Sequence, residues 1–172
     1  PKGLGLARGD RVLLVYPPSL DFIIAFWACL RACLIGVPVF PPDPRKLKKD
    51  LYMFASIQKS SGGQVALTSN EYNFVKKMAD IKRSFTSDST RWPELKWIVT
   101  DKVPSCPPLH YDPPAPNSVA FLQYTSGSTS EPKGVMITHE NLAHNITIFC
   151  RALKAGTDTV VASWLPQYHD MG

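Results

Sequence analysis

The residues best suited to chemistry lie in one stretch, residues 124–139, which reads Tyr-Thr-Ser-Gly-Ser-Thr-Ser-Glu-Pro-Lys-Gly-Val-Met-Ile-Thr-His. Gly127 lets the backbone turn where a side chain would clash, so that successive N–H groups can point at one anion. Neighbouring hydroxyl groups add hydrogen-bond donors, and Lys133 adds a compact positive charge. The pattern therefore predicts a phosphate-binding loop made of Thr125, Ser126, Gly127, Ser128, Thr129 and Lys133.

Other interpretations of this stretch are possible from composition alone. Ser, Thr and Gly are ordinary loop residues, and their mere presence favours a polar hairpin turn between strands at 119–125 and 135–138. A Walker phosphate loop is excluded, because it needs glycine directly before its lysine and Ser or Thr directly after, whereas Pro132 precedes Lys133 and Gly134 follows it. The nucleophile elbow G-x-S-x-G does not match either. The order of the residues, rather than their composition, indicates a phosphate loop of another kind.

That order closely resembles the phosphate loop of the adenylate-forming acyl ligases, a superfamily of AMP-binding enzymes that includes acyl-CoA synthetases and peptide-synthetase adenylation domains. The family pattern is Y-T-S-G-[ST]-T-G-x-P-K-G-V, and this chain departs from it at Ser130, where the family has glycine. A serine there stiffens the loop slightly and is expected to preserve its function. The resemblance implies that residues 125–133 hold the β- and γ-phosphates of ATP.

Two further stretches resemble one branch of that superfamily, the fatty acyl-AMP ligases. The first is residues 14–42, with double prolines at 17–18 and 41–42. The second is residues 164–172, which read Trp-Leu-Pro-Gln-Tyr-His-Asp-Met-Gly. Two separated stretches thus indicate the same branch.

The second stretch supplies the remaining candidate site residues. A histidine that follows a strand is more often structural than catalytic, but in this branch the matching motif lines the acyl and adenylate pocket. The resemblance therefore implies that His169 meets the substrate carboxylate or the adenylate phosphate. Asp170 either orients His169 or faces a polar neighbour. The implied pocket consists of Tyr168, His169, Asp170, Met171 and Gly172.

The resemblance also implies a reaction, in which a fatty acid carboxylate attacks the α-phosphorus of ATP to give an acyl-adenylate and pyrophosphate. Two anions must approach each other, so positioning and charge neutralisation should carry most of the catalysis. ATP and Mg²⁺ are the implied cofactors, and Lys133 and His169 are the implied catalytic residues. An acyl carrier protein or a polyketide synthase is the implied acceptor. The residue that binds the metal is not identifiable.

Alternatives from three classes stay open beside this interpretation. A long-chain acyl-CoA synthetase would use the same first half-reaction with a different acceptor. A non-catalytic, ligase-like module would bind lipid or nucleotide within a larger protein. A nucleotide hydrolase would need a Walker B acid after an apolar strand and a water-activating residue, and neither is evident in the sequence.

Charge and histidine spacing argue against two other kinds of site. The formal net charge is +5, in part from the run Arg45, Lys46, Lys48 and Lys49. A short basic run can mark a nucleic-acid partner, but no aromatic residues interleave this one, so we expect none. His139 and His144 are five residues apart, whereas a zinc helix of the H-E-x-x-H type places them four apart.

Cysteine usage and helix length indicate a cytoplasmic protein without a membrane span. Cysteines 29, 33, 106 and 150 lack C-x-x-C spacing, and three of them lie in apolar helical patterns, which is typical of reduced core residues. The most apolar helix, predicted at 20–35 with Ser19 as its cap, falls short of the roughly twenty residues that cross a bilayer.

Strands and helices alternate along the chain. Strands are predicted at 11–16, 37–40, 64–68, 95–100, 119–125, 135–138 and 160–165, and helices at 20–35, 46–60, 71–81 and 139–153. This alternation predicts an α/β fold with a mostly parallel sheet and helices on both faces. By resemblance, it forms part of the large N-terminal domain of an acyl-adenylate-forming enzyme.

The chain has 172 residues, 44% of them hydrophobic, which suits one core. We expect residues 1–172 to be a single partial domain, the N-terminal AMP-binding fragment of a longer enzyme, and to be inactive alone. Residues 83–92 carry charge and hydroxyl groups without periodicity, which predicts a mobile loop. Residues 103–116 hold six of the 16 prolines and predict an extended connection.

Overall fold

A computed structural model of the chain shows a six-stranded sheet flanked by helices. The structure describes residues 5–44, 47–85, 90–104, 112–125 and 132–166. The strands are β1 (Arg11–Leu14), β2 (Ile35–Pro38), β3 (Val65–Thr68), β4 (Lys96–Val99), β5 (Val119–Thr125) and β6 (Lys133–Thr138). The helices are α1 (Leu20–Arg31), α2 (Leu47–Ser61), α3 (Asn70–Ser84) and α4 (His139–Ala152), and a 3-10 turn covers Thr100–Lys102.

The sheet is parallel apart from its last strand. Its order is β4-β3-β1-β2-β5-β6, and only the β5–β6 pair, a hairpin, is antiparallel. β1 lies in the interior, paired through Leu13 with Val37 of β2 and with Ala66 of β3. Strands buried on both faces are continuously apolar, and Val12, Leu13 and Leu14 are fully buried here.

Alternate residues of β1 pack against helices on opposite faces of the sheet. Val12 and Leu14 lie on the α1 side, with Phe22 and Cys29 of that helix. Leu13 lies on the other side, in a cluster with α2 and α3 residues that includes Phe54, Ile57 and Tyr72. Helices thus cover both faces of a mostly parallel sheet, which confirms the predicted fold class.

Helix α1 ends at Arg31, four residues before the predicted end. The chain turns at Cys33, which has a positive φ of 54°. The Ile35 N–H then donates to the Asp10 carbonyl oxygen at 2.9 Å, so β2 has already begun. Gly36, directly after the predicted helix, lies inside β2, next to the side chains of Leu14 and Phe26. The end of α1 is therefore set by the hydrogen bonds that β2 makes in the sheet, and not by helix propensity.

The predicted strand at 160–165 is wrong. Residues 160–166 have no regular secondary structure, and Val160 and Trp164 are each 91% exposed. A strand requires a neighbour for its backbone N–H and C=O groups, and none of the described strands pairs with this segment.

The region between α3 and β4 is more structured at both ends than predicted. Helix α3 continues through Ser84, so the first two residues of the predicted loop 83–92 are helical. At the other end, Trp92 packs edge-on against Phe54 and Trp97, with ring centroids 5.5 and 5.3 Å away. Residues 86–89 lie outside the described residues, so mobility there stays a prediction. Residues 105–111 of the proline-rich connection also lie outside the described residues, so the extended conformation predicted for them stays a prediction.

The cysteines differ in their exposure. Cys29 is buried and Cys33 half-buried, whereas Cys150 is exposed on α4, so the prediction of a core cysteine at 150 is wrong. Its helix packs little against the sheet, and Ile146, Ile148 and Phe149 are exposed as well. Cys106 lies outside the described ranges.

No helix within the described ranges has the length and apolarity needed to cross a membrane.

Burial should protect Cys29 from thiol reagents. Burial raises the pKa of Cys29 to about 12, so almost no reactive thiolate exists at pH 8. We expect iodoacetamide at pH 8 to modify Cys150 much faster than Cys29, as followed by peptide mass spectrometry. Unfolding in urea is the control and should equalise the two rates. Equal labelling under native conditions would contradict the burial of Cys29.

Candidate functional site

The predicted phosphate loop connects the two strands of the β5–β6 hairpin. Thr125 and Lys133 are the last pair of the hairpin before the connection, directly opposite each other. A hydroxyl group and an ammonium group therefore face one another where the strands end, and directly opposite residues have Cβ atoms about 5 Å apart. Ser126, Gly127, Ser128 and Thr129 lie outside the described residues, so the structure brings together two of the six predicted phosphate ligands.

Lys133 is exposed, and no acidic side chain within the described ranges pairs with it. On α3, Asp80 forms ion pairs with Lys76 and Arg83, and neither pair includes Lys133. Pro132, directly before it, is buried. Lys133 thus presents a positive charge to solvent from a position fixed by β-pairing on one side and a buried ring on the other.

Tyr124 and Gly134 form the next pair of the hairpin. The Tyr124 ring lies over Gly134, and its hydroxyl donates to Ser60 Oγ on α2 at 3.0 Å. Sequence reasoning assigned no role to Tyr124, Gly134 or Ser60, although the alternation of Leu122 and Tyr124 on one face of β5 signals a helix contact. The side chain of Tyr124 therefore connects the end of the hairpin to α2.

The amino terminus of α4 is not available as an anion site. Thr138 caps the helix: its side chain accepts from the Asn141 N–H, and the Asn141 side chain accepts from the Thr138 N–H, each at 3.1 Å. The N–H groups of His139 and Glu140 donate to backbone carbonyls of Ser118 and Pro116. The donors that could attract a phosphate are thus already used. Burial also lowers the pKa of His139, so this imidazole favours its neutral form.

The ends of β1, β3 and β4 carry a second group of polar residues, which is satisfied internally. Thr68 Oγ1 donates to the Val15 carbonyl at 2.7 Å, and Thr100 Oγ1 donates to the Thr68 carbonyl at 3.3 Å. The Tyr16 hydroxyl bonds to Thr100 Oγ1 at 2.8 Å, and burial raises the pKa of Tyr16 well above its ordinary value. These groups stabilise the strand ends and leave no donor free for a ligand.

An apolar cavity of about 430 Å³ lies between α1 and β4. Most of the residues that line it are apolar, among them Ile24, Ile98 and Val103. Thr125 and Lys133 do not line it. No group of His, Cys, Asp or Glu residues in the described part of the chain could hold a metal ion. The predicted pocket residues Tyr168, His169, Asp170, Met171 and Gly172 lie outside the described residues. The hairpin end is therefore the candidate site that the structure describes.

Comparison with known proteins identifies relatives of this chain. The AMP-binding enzyme family matches residues 2–172. The medium-chain-fatty-acid–[acyl-carrier-protein] ligase JamA of Moorena producens is 40% identical over 96% of this chain and 27% of its own length. The long-chain-fatty-acid–AMP ligase FadD32 of Mycolicibacterium smegmatis is 34% identical over 95% of this chain and 25% of its own. The chain therefore spans about a quarter of the length of these curated relatives.

A solved structure extends the comparison to the fold. The fatty acyl-adenylate ligase of L. pneumophila, in complex with acyl adenylate and pyrophosphate, superposes with a TM-score of 0.75 at 34% identity. The match covers 99% of this chain and 28% of the other. The similarity extends over nearly all residues of the chain, and it agrees with the fold and with the order of hydroxyl groups, glycine and lysine in residues 125–133. This chain belongs to the family of AMP-binding enzymes.

Proposed function

We propose that the protein carrying this chain activates a fatty acid carboxylate as an acyl-adenylate, with ATP as the second substrate and pyrophosphate as the leaving group. The observation that carries this proposal is the pair Thr125 and Lys133 at the hairpin end, where an exposed lysine that pairs with no described acidic residue lies opposite a threonine. Polyphosphate is the ligand that such a pair suits best, since both groups donate to phosphate oxygens.

The chemistry follows from the charges involved. A carboxylate oxygen attacks the α-phosphorus of ATP, and the bond from that phosphorus to the bridging oxygen of pyrophosphate breaks. Lys133 holds the β- and γ-phosphates and neutralises charge that builds up on the leaving group. Mg²⁺, when bound to the nucleotide, supplies further charge neutralisation on the phosphate oxygens. His169 positions the carboxylate, as the resemblance to the fatty acyl-AMP ligase motif at 164–172 implies.

The acceptor is proposed from the relatives. JamA of Moorena producens and TtuA of Teredinibacter turnerae are both named as ligases that join medium-chain fatty acids to acyl carrier protein. We infer the same class of acceptor here, a carrier-protein thiol, either on a free acyl carrier protein or within a polyketide synthase. The acyl-adenylate would then be a mixed anhydride whose carbonyl the thiolate attacks, with AMP as the leaving group. The cytoplasm, where ATP and carrier proteins occur, is the proposed location.

Removal of the Lys133 charge should weaken the use of ATP. A charged hydrogen bond is worth about 1.5–3 kcal/mol, so Lys133→Ala should lower kcat/KM for ATP roughly ten- to a hundredfold. Fatty-acid-dependent pyrophosphate exchange is the measurement. Lys77→Ala is the matched control, because Lys77 is exposed on α3 away from the hairpin. An equal loss in both variants would remove Lys133 from the site.

His169→Ala should lower the rate of acyl-adenylate formation by about tenfold or more, the range typical of one positioned polar group. The same assay, at saturating ATP and fatty acid, measures this effect. His144→Ala, which changes an exposed histidine on α4, is the control and should leave the rate unchanged. A fully active His169→Ala protein would restrict the motif at 164–172 to a structural role.

The product that forms when acceptors compete distinguishes a fatty acyl-AMP ligase from an acyl-CoA synthetase and from a non-catalytic module. With ATP, Mg²⁺, fatty acids of several lengths and excess coenzyme A, we expect acyl-adenylate and, once a carrier protein is added, acyl-carrier protein. Chromatography with mass spectrometry separates these products. Accumulation of acyl-CoA would identify an acyl-CoA synthetase and preserve the adenylating half-reaction. Binding of fatty acid or nucleotide without any product would identify a non-catalytic module.

A further inference from the structure

The side chain of Tyr124 connects three elements one residue away from Lys133. Tyr124 belongs to β5, its ring lies over Gly134 of β6, and its hydroxyl donates to Ser60 Oγ of α2 at 3.0 Å. The ring also packs against the buried cluster on the α2 face of the sheet. We call Tyr124, Gly134 and Ser60 the hairpin clamp. The clamp lies next to the pair Thr125 and Lys133 in the register of the strands.

Glycine at position 134 is required by space. A Cβ atom there would lie 2.8 Å from Tyr124 Cζ and 3.1 Å from both Cε2 and Oη. Gly134 is not among the glycines with positive φ in the described residues, so backbone freedom is not the reason for it. The glycine that follows Lys133 therefore makes room for an aromatic ring, which lets β5 and β6 stay paired up to the last residue before the loop.

Among the described residues, Leu122 packs against the same cluster and Pro132 is buried, but β6 itself has little cover. β6 is the edge strand of the described sheet and pairs only with β5. Val135 and Met136 are 47% and 67% exposed, so little apolar surface anchors the strand. A two-stranded ribbon with one unpaired edge twists and frays easily. The bond between Tyr124 and Ser60 therefore has a large share in fixing where β6 begins.

We infer that the hairpin clamp positions Lys133 and Thr125 for the phosphates of ATP, so that Tyr124, Gly134 and Ser60 are positioning residues of the adenylation site. This inference rests on the proposed function. The clamp touches no substrate itself. It sets the distance and orientation between a hydroxyl group and an ammonium group that must act on one polyphosphate, and a loosened hairpin would bind ATP less tightly without altering the fatty acid site.

Two variants remove the same hydrogen bond from opposite ends. Tyr124→Phe keeps the ring and loses the hydroxyl, and Ser60→Ala loses the partner. In pyrophosphate exchange by the whole protein that carries this chain, each should raise KM for ATP about three- to tenfold, as expected for one hydrogen bond. KM for the fatty acid should stay unchanged. The double variant should be no worse than either single variant, because both remove one interaction.

A third variant tests the space above Gly134. Gly134→Ala places a methyl group against the Tyr124 ring and should raise KM for ATP more than the loss of the hydrogen bond does. The double variant Gly134→Ala/Tyr124→Leu removes the ring and should recover part of that loss. Ser69→Ala is the control, because it deletes the cap of α3, which accepts from the Tyr72 N–H. It should lower Tm and leave KM for ATP unchanged.

Hydrogen exchange separates positioning from general destabilisation. Amides of residues 119–138 should exchange faster in Tyr124→Phe and Ser60→Ala, and at the wild-type rate in Ser69→Ala. An active enzyme in which both clamp variants keep the wild-type KM for ATP would overturn the inference and preserve the proposed function. Equal rises in KM for ATP and for fatty acid would also overturn it. A wild-type protein that makes no adenylate would refute the proposed function, and this inference with it.

Discussion

The complete burial of residues 12–14 of β1 is the constraint on which the rest of the structure depends. Val12, Leu13 and Leu14 have no access to solvent, and parallel strands occupy both edges of β1. A strand buried on both faces needs a helix layer on each side, and the chain supplies α1 on one and α2 with α3 on the other. β2 and β3 occupy the two edges of β1, and β5 pairs with the remaining edge of β2, which places the hairpin at that end of the sheet.

One end of the β5–β6 hairpin is anchored in the sheet, and the other end, which carries Lys133, is exposed. β5 pairs with β2 at Gly36 and Phe121, and Phe121 meets Phe26 of α1 at 5.3 Å between ring centroids. Beyond this point the hairpin depends on its own pairing and on Leu122 and Tyr124, which pack against the cluster on the α2 side. This division suits the proposed phosphate site, because the strands must hold their register while Lys133 stays accessible to a charged ligand.

Some predictions from local sequence patterns are wrong because contacts between residues distant in the sequence decide the structure there. Helix α1 is apolar nearly all round, which predicts a longer core helix, yet Ile24 and Trp27 on its outer side are 66% and 54% exposed. Its end is set by the bond between Asp10 and Ile35, which no local pattern shows. The apolar segment at 160–165 has the composition of a strand, but a strand exists only where another strand accepts its hydrogen bonds.

Local order in the sequence is enough to predict the alternation of strands and helices and the α/β class, and it also predicts a phosphate loop. The signals are apolar runs bounded by turn residues, and hydroxyl groups with glycine and lysine at fixed spacing. Packing between elements, in contrast, places Thr125 opposite Lys133 and the ring of Tyr124 over Gly134. It also brings Ser60, more than sixty residues away in the chain, to the hydroxyl group of that ring. Such contacts form because the sheet brings distant segments together, and no local pattern encodes that geometry.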